Sequence, residues 1–395
     1  MSAAAIDVPT SDYDPFTPEA ILDAHNQDGA LRDIAPAVYL ERYDVWAVAR
    51  FEHVQLLLKD YETFTSTNRP FFDPKAIRPN ILLTEDPPEH TRTRSVIMRS
   101  LSAPALRKMK EEFDRAAVAL VDRLLESGGL VDGHLDIASA YVLQVFPDML
   151  GLSKEGRHHL LRFGDAAFNA FGPANEIQRR GMERAAEAIA WVDRSVKREA
   201  VEPDGLGGQM FKAADAGEIT ESEAELLVRT LFAAGSDTTI YGIGSMIRAF
   251  SENPEQWQIL REDRSLVRNA FEEVLRYESP SRFGGRATKD VTDLDGVTLP
   301  AGARIMVMFL AAGRDPRRWE NPDTFDIRRK VVGHVNLGYG IHACAGQALA
   351  RIEGQAVLSA LVDRVAAIEP AGEAERAVNF QAHGHEHIPL RLIPA

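Results

Sequence analysis

The chain has 395 residues, 45% of them hydrophobic and 26% charged, enough to bury a large core and enclose a cofactor. No apolar run approaches the roughly 20 residues that cross a bilayer, and the start, MSAAAIDVPTSDYD, lacks the basic and apolar regions of a secretion signal. A formal charge of −14 argues against nucleic acid as a general partner, and a single cysteine excludes an intrachain disulfide and suits a reducing, cytoplasmic compartment.

AVYLERYDVWAVA alternates well enough to predict a hairpin over 37–49. Pro87 and Pro88 then precede HTRTRSVIMRSL, and apolar residues recur at helical spacing over 105–127, 137–151, 183–200 and 222–250. Pro254 precedes another amphipathic helix. Strand-like sequence returns only around 287–309 and 378–393. With no repeat, low-complexity tract or linker, the expectation is one domain over 1–395, mainly α with a minor β portion.

LGYGIHACAG, residues 337–346, holds the one cysteine, Cys344, just before the strong helix AGQALARIEGQAVLSAL. Gly338, Gly340 and Gly346 let the chain approach a flat ligand closely. A thiolate near a helix N-terminus is stabilised by backbone N–H groups and the helix dipole. A lone cysteine reads equally well as an inert core residue; the glycine spacing is what favours a ligand. The loop resembles GxGxHxCxG, the haem-binding signature of the cytochrome P-450 family, with Leu337 where the family usually has Phe. That departure touches the shielding of the ligand and the reduction potential rather than ligation. The resemblance implies the cytochrome P-450 fold, a triangular helical domain with small β-sheets, with haem b bound through Cys344 to its iron.

Other stretches extend the resemblance over residues from about 85 to 346. Glu273 and Arg276 lie on one helix face and alone would read as a surface ion pair. By resemblance they are the family's ExxR, a buried carboxylate bridging two guanidiniums, with Arg329 as third member in a structural role. Asp237 and Thr238 interrupt the apolar helix LLVRTLFAAGSDTTIYGIGSMIR after Gly235 and Ser236, a pair on which helices bend. AGSDTT resembles the family's oxygen-activating acid–alcohol pair, which implies catalytic roles for Asp237 and Thr238 and places Ala234 against haem and substrate. His90, Arg94, Arg286 and His342 would hold the haem propionates, with Gly338 beside the ring.

FNAFGPANE, QVFPDMLGL, GEITESEAELLVRTLFAAG and NPDTFDIRRKVVGHV resemble the subgroup that oxidises para-substituted benzoic acids. That resemblance implies Arg78, Asn80 and Thr230 at a substrate carboxylate and Phe168 and Phe171 clamping its ring. Ser281 and Gly284, in SRFGGR, would line the pocket; Gly284 and Gly285 predict extra width there, and Arg282 either a second cationic contact or an outward side chain. The implied reaction is hydroxylation or oxidative O-demethylation of a small aromatic carboxylic acid by dioxygen. No flavin or iron–sulfur motif is present, so its two electrons would come from a ferredoxin and its reductase, docking near Arg99, Lys108, Lys110 and Arg351. A monooxygenase of another small hydrophobic substrate and a haem-based sensor or carrier are the alternatives. HGHEH, residues 383–387, puts three histidines on alternate positions, but no cysteine or carboxylate pattern supports a metal there, and His385 reads as a pocket-tip or solvated residue.

Overall fold

Alternating apolar side chains make the N-terminal hairpin. In the computed structural model, which describes residues 8–67 and 81–395, β2 (Val38–Leu40) pairs antiparallel with β3 (Val45–Val48), Leu40 opposite Val45. The distant half of the chain completes this sheet. β9 (Arg304–Val307) runs parallel to β3, and β6 (Gly284–Thr288) runs antiparallel to β9. With edges β1 (Thr10–Ser11) and β4 (Phe64–Thr65) the order is β1-β2-β3-β9-β6-β4. The hairpin of β7 (Thr292–Leu294) and β8 (Val297–Leu299) lies between β6 and β9 in sequence. A second sheet has the order β10 (Val365–Pro370), β13 (Pro389–Pro394), β5 (Leu130–Asp132). β11 (Glu375–Arg376) pairs with β12 (His385–His387).

Two apolar cores follow from this arrangement. The smaller joins the first sheet to α1 (Pro18–Leu22), α2 (Ala24–Ile34), α3 (Phe51–Lys59) and α15 (Phe309–Gly313). The larger is helical. It draws on α4 (Glu89–Ser100), α5 (Ala103–Glu126), α6 (Ala140–Leu150), α7 (His159–Asn169) and α9 (Ala186–Ser195). It continues through α10 (Leu206–Asp215), α11 (Glu221–Gly235), α12 (Asp237–Glu252), α13 (Pro254–Glu262), α14 (Val267–Tyr277) and α16 (Gln347–Arg364). α8 (Glu176–Arg184) packs on α7 and is capped by Asn175, whose side chain accepts from the N–H groups of Ile177 and Gln178.

Local chemistry explains where the sequence-based segments differ. The stretch expected as a helix over 137–151 starts earlier, as a π-helix over Gly133–Ser139. The helix expected over 183–200 stops at Ser195, because Val201 is drawn into a bridge with Leu152 and the chain before it turns. The long segment 222–250 becomes α11 and α12, parted at Ser236. α11 begins with a capping box: Glu223 N–H donates to Thr220 Oγ1 at 3.2 Å, and Thr220 N–H donates to Glu223 Oε2 at 2.7 Å.

Two buried ion pairs tie remote segments together. Arg276 meets both oxygens of Glu273, at 2.7 and 2.8 Å, and Arg329 Nε donates to Glu273 Oε1 at 3.1 Å. The Arg276 guanidinium also donates to the carbonyls of Gly313, Pro322 and Thr324, so one carboxylate organises the chain leading to the cysteine loop. Arg282 takes neither orientation expected of it. It is fully buried and forks onto Asp28, both contacts at 2.7 Å, with Pro15 O and the Tyr13 hydroxyl as further partners. It anchors the N-terminal segment and offers no charge to a ligand.

Because Glu273 and Arg276 are inaccessible to solvent, removing one partner strands the other. Arg276→Met should cost about 3–5 kcal/mol in urea unfolding. A loss below ~1 kcal/mol, the value for an exposed pair, would contradict this assignment.

Candidate active site

The cysteine loop gets its shape from backbone angles. Gly338 and Gly340 have φ of 71° and 66°, and a Cβ on Gly340 would come 2.4 Å from Leu58 O, so a larger side chain would push the loop off α3. Cys344 N–H donates to Leu337 O at 2.7 Å, which closes the loop immediately before α16. Leu337 packs on the main core. The Cys344 side chain is accessible yet surrounded by protein, so it faces an internal cleft. Burial pushes its thiol pKa up; the Gly346 N–H, Arg94 and Arg351 act in the opposite direction.

Around that cleft the fold gathers His90 and Arg94 from α4, Arg286 from β6 and His342 from the loop. The rings of His90 and His342 are 4.3 Å apart. Burial, then Arg286, His90 and Arg94, holds the His342 imidazole down to about 3, and burial lowers Arg286 to about 10. His90 Nε2, His342 Nε2 and Arg286 Nε are buried without a protein partner. Arg94 donates to Ala343 O at 2.5 Å. Clustered cations with unused N–H groups suit an anionic ligand such as a pair of carboxylates. A flat iron-bearing dianion fits both this donor set and a thiolate that needs a cation beside it. The residues therefore fit haem.

At the parting of α11 from α12 stand the sequence-predicted Ala234, Asp237 and Thr238. The helices part at Ser236, whose backbone stays in the right-handed region at φ −88° and ψ −72°, and the ring of Phe146 packs where a Cβ on Gly235 would fall, 2.1 Å from its Cζ. Ala234 is exposed in mid-helix, and Thr238 Oγ1 donates to Ala234 O at 2.7 Å. Asp237 is buried, with Oδ1 unpartnered. Burial, then the neighbouring Asp165, pushes its carboxyl well above the ordinary range, which favours the protonated form. Gly164 of α7 seals it, since a Cβ there would sit 2.1 Å from Asp237 Oδ2.

Of the substrate residues, Arg78 and Asn80 lie outside the described residues. Phe168 and Phe171 stand with ring centroids 6.4 Å apart, tilted 31°. Thr230 is buried on α11 and donates to Leu226 O at 2.8 Å. Ser281 is held in a bridge to Ala382. The extra width expected at Gly284 is absent, because the Phe309 ring lies over that glycine, 2.6 Å from where a Cβ would stand.

Three further features were not legible in the sequence. His385 is buried rather than solvated, and His383 comes beside His25 and Glu278, a geometry that three metal ligands would need. The chemistry opposes a metal. Arg376 donates to His383 Nε2 at 2.6 Å, which leaves the proton on Nδ1 facing Ser279 O, and Glu278 is already met by Arg314 at 3.0 Å. Among the surface cations, Arg99 pairs with Glu218, Lys110 with Asp114 and Arg351 with Glu272, so three of the four are matched within the chain. Last, Glu353 of α16 is buried with Oε1 unpartnered, hydrogen-bonded to the Thr239 side chain.

A cysteine enclosed beneath a broken helix, ringed by unused cationic donors, defines a haem-binding oxidase. The family model "Cytochrome P450" matches residues 140–375. The chain is 42% identical to cytochrome P450 CYP199A2 of Rhodopseudomonas palustris over 393 residues, 98% of this chain and 95% of that one. Among solved structures, cytochrome P450 CREJ in complex with (4-ethylphenyl) dihydrogen phosphate aligns with TM-score 0.88 at 23% identity, covering 96% of this chain and 99% of that one. CYP109E1 of Bacillus megaterium in complex with testosterone aligns with TM-score 0.84 at 25% identity, covering 95% and 99%. The chain belongs to the cytochrome P450 family, whose members are monooxygenases carrying haem b. No helix among the described residues is long and apolar enough to cross a membrane.

Burial raises the Glu353 carboxyl to about 8 from 4.5, so the folded protein binds a proton that the unfolded chain releases. The associated stability is fully present below pH ~4.5 and is lost as pH rises through about 8. Glu353→Gln should therefore remove on the order of 4 kcal/mol of the decline between pH 5 and 9 in urea unfolding. Parallel pH profiles for the two proteins would contradict a neutral Glu353.

Proposed function

We propose that the protein hydroxylates or oxidatively O-demethylates a small aromatic carboxylic acid of the benzoate type, using dioxygen and two electrons from a ferredoxin and its reductase in the cytoplasm. Haem b would be held by Cys344 at its iron and by His90, Arg94, Arg286 and His342 at its propionates, with Gly338 and Ala234 leaving room for the ring. Bound there, haem supplies dioxygen activation and C–H oxidation. The chain supplies binding, orientation and protons.

The observation that carries this reading is the donor set at Cys344: four cationic or imidazole side chains with unspent N–H groups at His90, Arg286 and His342, suited to the carboxylates of haem, while Ala234 and Thr238 flank the break between α11 and α12. Asp237, protonated and without a cationic partner, can give up a proton at its carboxyl. The Thr238 hydroxyl spends its hydrogen on Ala234 O, which fixes its oxygen as an acceptor and holds it at the break. Its role would be to accept a hydrogen bond from the water or ligand hydroxyl that carries the proton given by Asp237, and so hold it in place.

The substrate class rests on the four stretches resembling the benzoate-oxidising subgroup, and on the aromatic pair. Phe168 and Phe171 pack on one another at 6.4 Å and would offer an aromatic wall to a planar guest. Arg78, Asn80 and Thr230 would take the carboxylate. Phe309, filling the space over Gly284, favours a slim para-substituted ring over a broad one. With Arg99, Lys110 and Arg351 already matched, Lys108 is left to meet an acidic ferredoxin together with residues that must first give up their partners.

A panel of aromatic acids tests the reading through the haem absorption shift that follows displacement of water from the iron. 4-Methoxybenzoate or a close para-substituted relative should produce the high-spin shift, and its methyl ester should not. Failure of every benzoate in the panel, or equal binding of acid and ester, would contradict a carboxylate substrate.

A further inference from the structure

Behind Asp237 lies a run of buried polar side chains that neither haem nor substrate binding uses. Tyr241 stands one helical turn after Asp237 on α12, and helical side chains lean toward the N-terminus, which aims its phenol at the turn holding Asp237. The Tyr241 ring is wedged between two neighbours. The His134 imidazole lies 5.6 Å away, centroid to centroid, and a Cβ on Gly384 would come 2.3 Å from the Tyr241 ring. His134 belongs to the π-helix Gly133–Ser139, a rare distortion that often accompanies function. From β12, His385 flanks this π-helix.

These groups share an unusual property. His134 Nδ1, His385 Nδ1 and Asp237 Oδ1 are all buried with no partner among the described residues. Buried orphan atoms in a row are what a chain of proton-carrying hydrogen bonds, bridged by water, would require. Burial holds His134 down to about 4 and His385 to about 3, so both imidazoles are neutral, each with one N–H to give and one ring nitrogen to accept. At the outer end the half-exposed His387 bonds Asp132 at 2.9 Å, and Asp132 accepts from the backbone N–H of His134 at 2.8 Å, which pins the start of the π-helix beside His387.

The opposite side is shut. Gly164 of α7 lies directly on the Asp237 carboxyl, and the acid beyond it, Asp165, is committed elsewhere. Asp165 Oδ1 accepts from Asn169 at 3.0 Å and from Asn379 at 2.9 Å, while its Oδ2 turns toward Gly181 on α8. The remaining charges are accounted for. Tyr241 faces Asp237, Asp165 and Glu386; His134 faces Asp132 and His387; His385 faces Arg376, Arg248 and Glu278.

We propose that Tyr241 relays protons to Asp237 from His134 and His385, which draw them from solvent at the His387 end. This rests on Asp237 being the proton-bearing acid of the site. The Tyr241 O–H gives its proton to the Asp237 carboxylate as its oxygen takes one from the N–H of a neutral imidazole, directly or through a bridging water, while the other ring nitrogen accepts a proton from the solvent side. The phenol is left neutral, and the imidazole recovers its proton from solvent. HGHEH thus contributes to proton supply through His385 and Gly384 rather than to metal binding.

The test uses the haem-loaded enzyme with its electron donor, and the resting protein by infrared spectroscopy. Asp237→Asn identifies the Asp237 carboxyl band by its loss. Tyr241→Phe keeps the ring and should shift that band, slow substrate-driven oxygen consumption by ~10-fold, raise the solvent deuterium isotope effect and leave substrate affinity unchanged. His134→Asn should slow consumption in the same direction. An unshifted band with normal rates in both Tyr241→Phe and His134→Asn overturns the relay. So does slowing by Asp165→Asn while Tyr241→Phe runs normally, which would assign the path to α7. If Asp237→Asn itself leaves oxygen consumption unchanged, the role of Asp237 falls and the relay with it; if only that variant slows, the relay alone falls.

Discussion

A thiolate can be kept inside a protein only if positive charge stands beside it. Cys344 is surrounded by protein, its thiol is pushed up by burial, and the nearby Arg94 and Arg351 only partly compensate. Arg286, His90 and His342, with Arg94 beside them, show the complementary problem: cations and N–H groups drawn together, with buried donors unspent on the first three. A single iron porphyrin answers both, since its metal meets the sulfur and its carboxylates meet the donors. Much of the fold serves this match. Glu273 holds Arg276 and Arg329, and through their carbonyl contacts fixes the stretch that leads into the cysteine loop.

The opposite wall depends on a break rather than on a bond. α11 and α12 part at Ser236, and the Phe146 ring fits only because Gly235 has no side chain. The break leaves Ala234 and Thr238 bare toward the cleft while Asp237 turns back under α7. A neutral acid is the stable state of a carboxyl enclosed without a cation. The same burial that keeps Asp237 protonated also isolates it, so the supply of its proton becomes a structural question in its own right. Tyr241 and the two histidines behind it are the groups placed to answer it.

What was legible in the sequence was short-range. The glycine spacing around Cys344, the Glu273–Arg276 pair and the hairpin at 37–49 each lie within a dozen or so residues, where spacing fixes geometry. Contacts between distant segments were not legible. Arg282 meets Asp28 across 254 residues, and no local pattern distinguishes that from an arginine facing a ligand. Gly284 promised width, but the space it leaves is taken by Phe309, the first residue of α15. The histidines of HGHEH alternate as expected, yet their meaning depends on a π-helix that composition does not announce. Arg78 and Asn80 lie outside the described residues, so the carboxylate contact still rests on resemblance.

The central claim is that the sulfur of Cys344 ligates the iron, and the reduced carbon monoxide complex tests it most directly. The unaltered protein should give the red-shifted absorption band of a thiolate-ligated haem. Cys344→Ser should lose that band while the refolded chain keeps its helical content. Survival of the red-shifted band in Cys344→Ser would contradict the account.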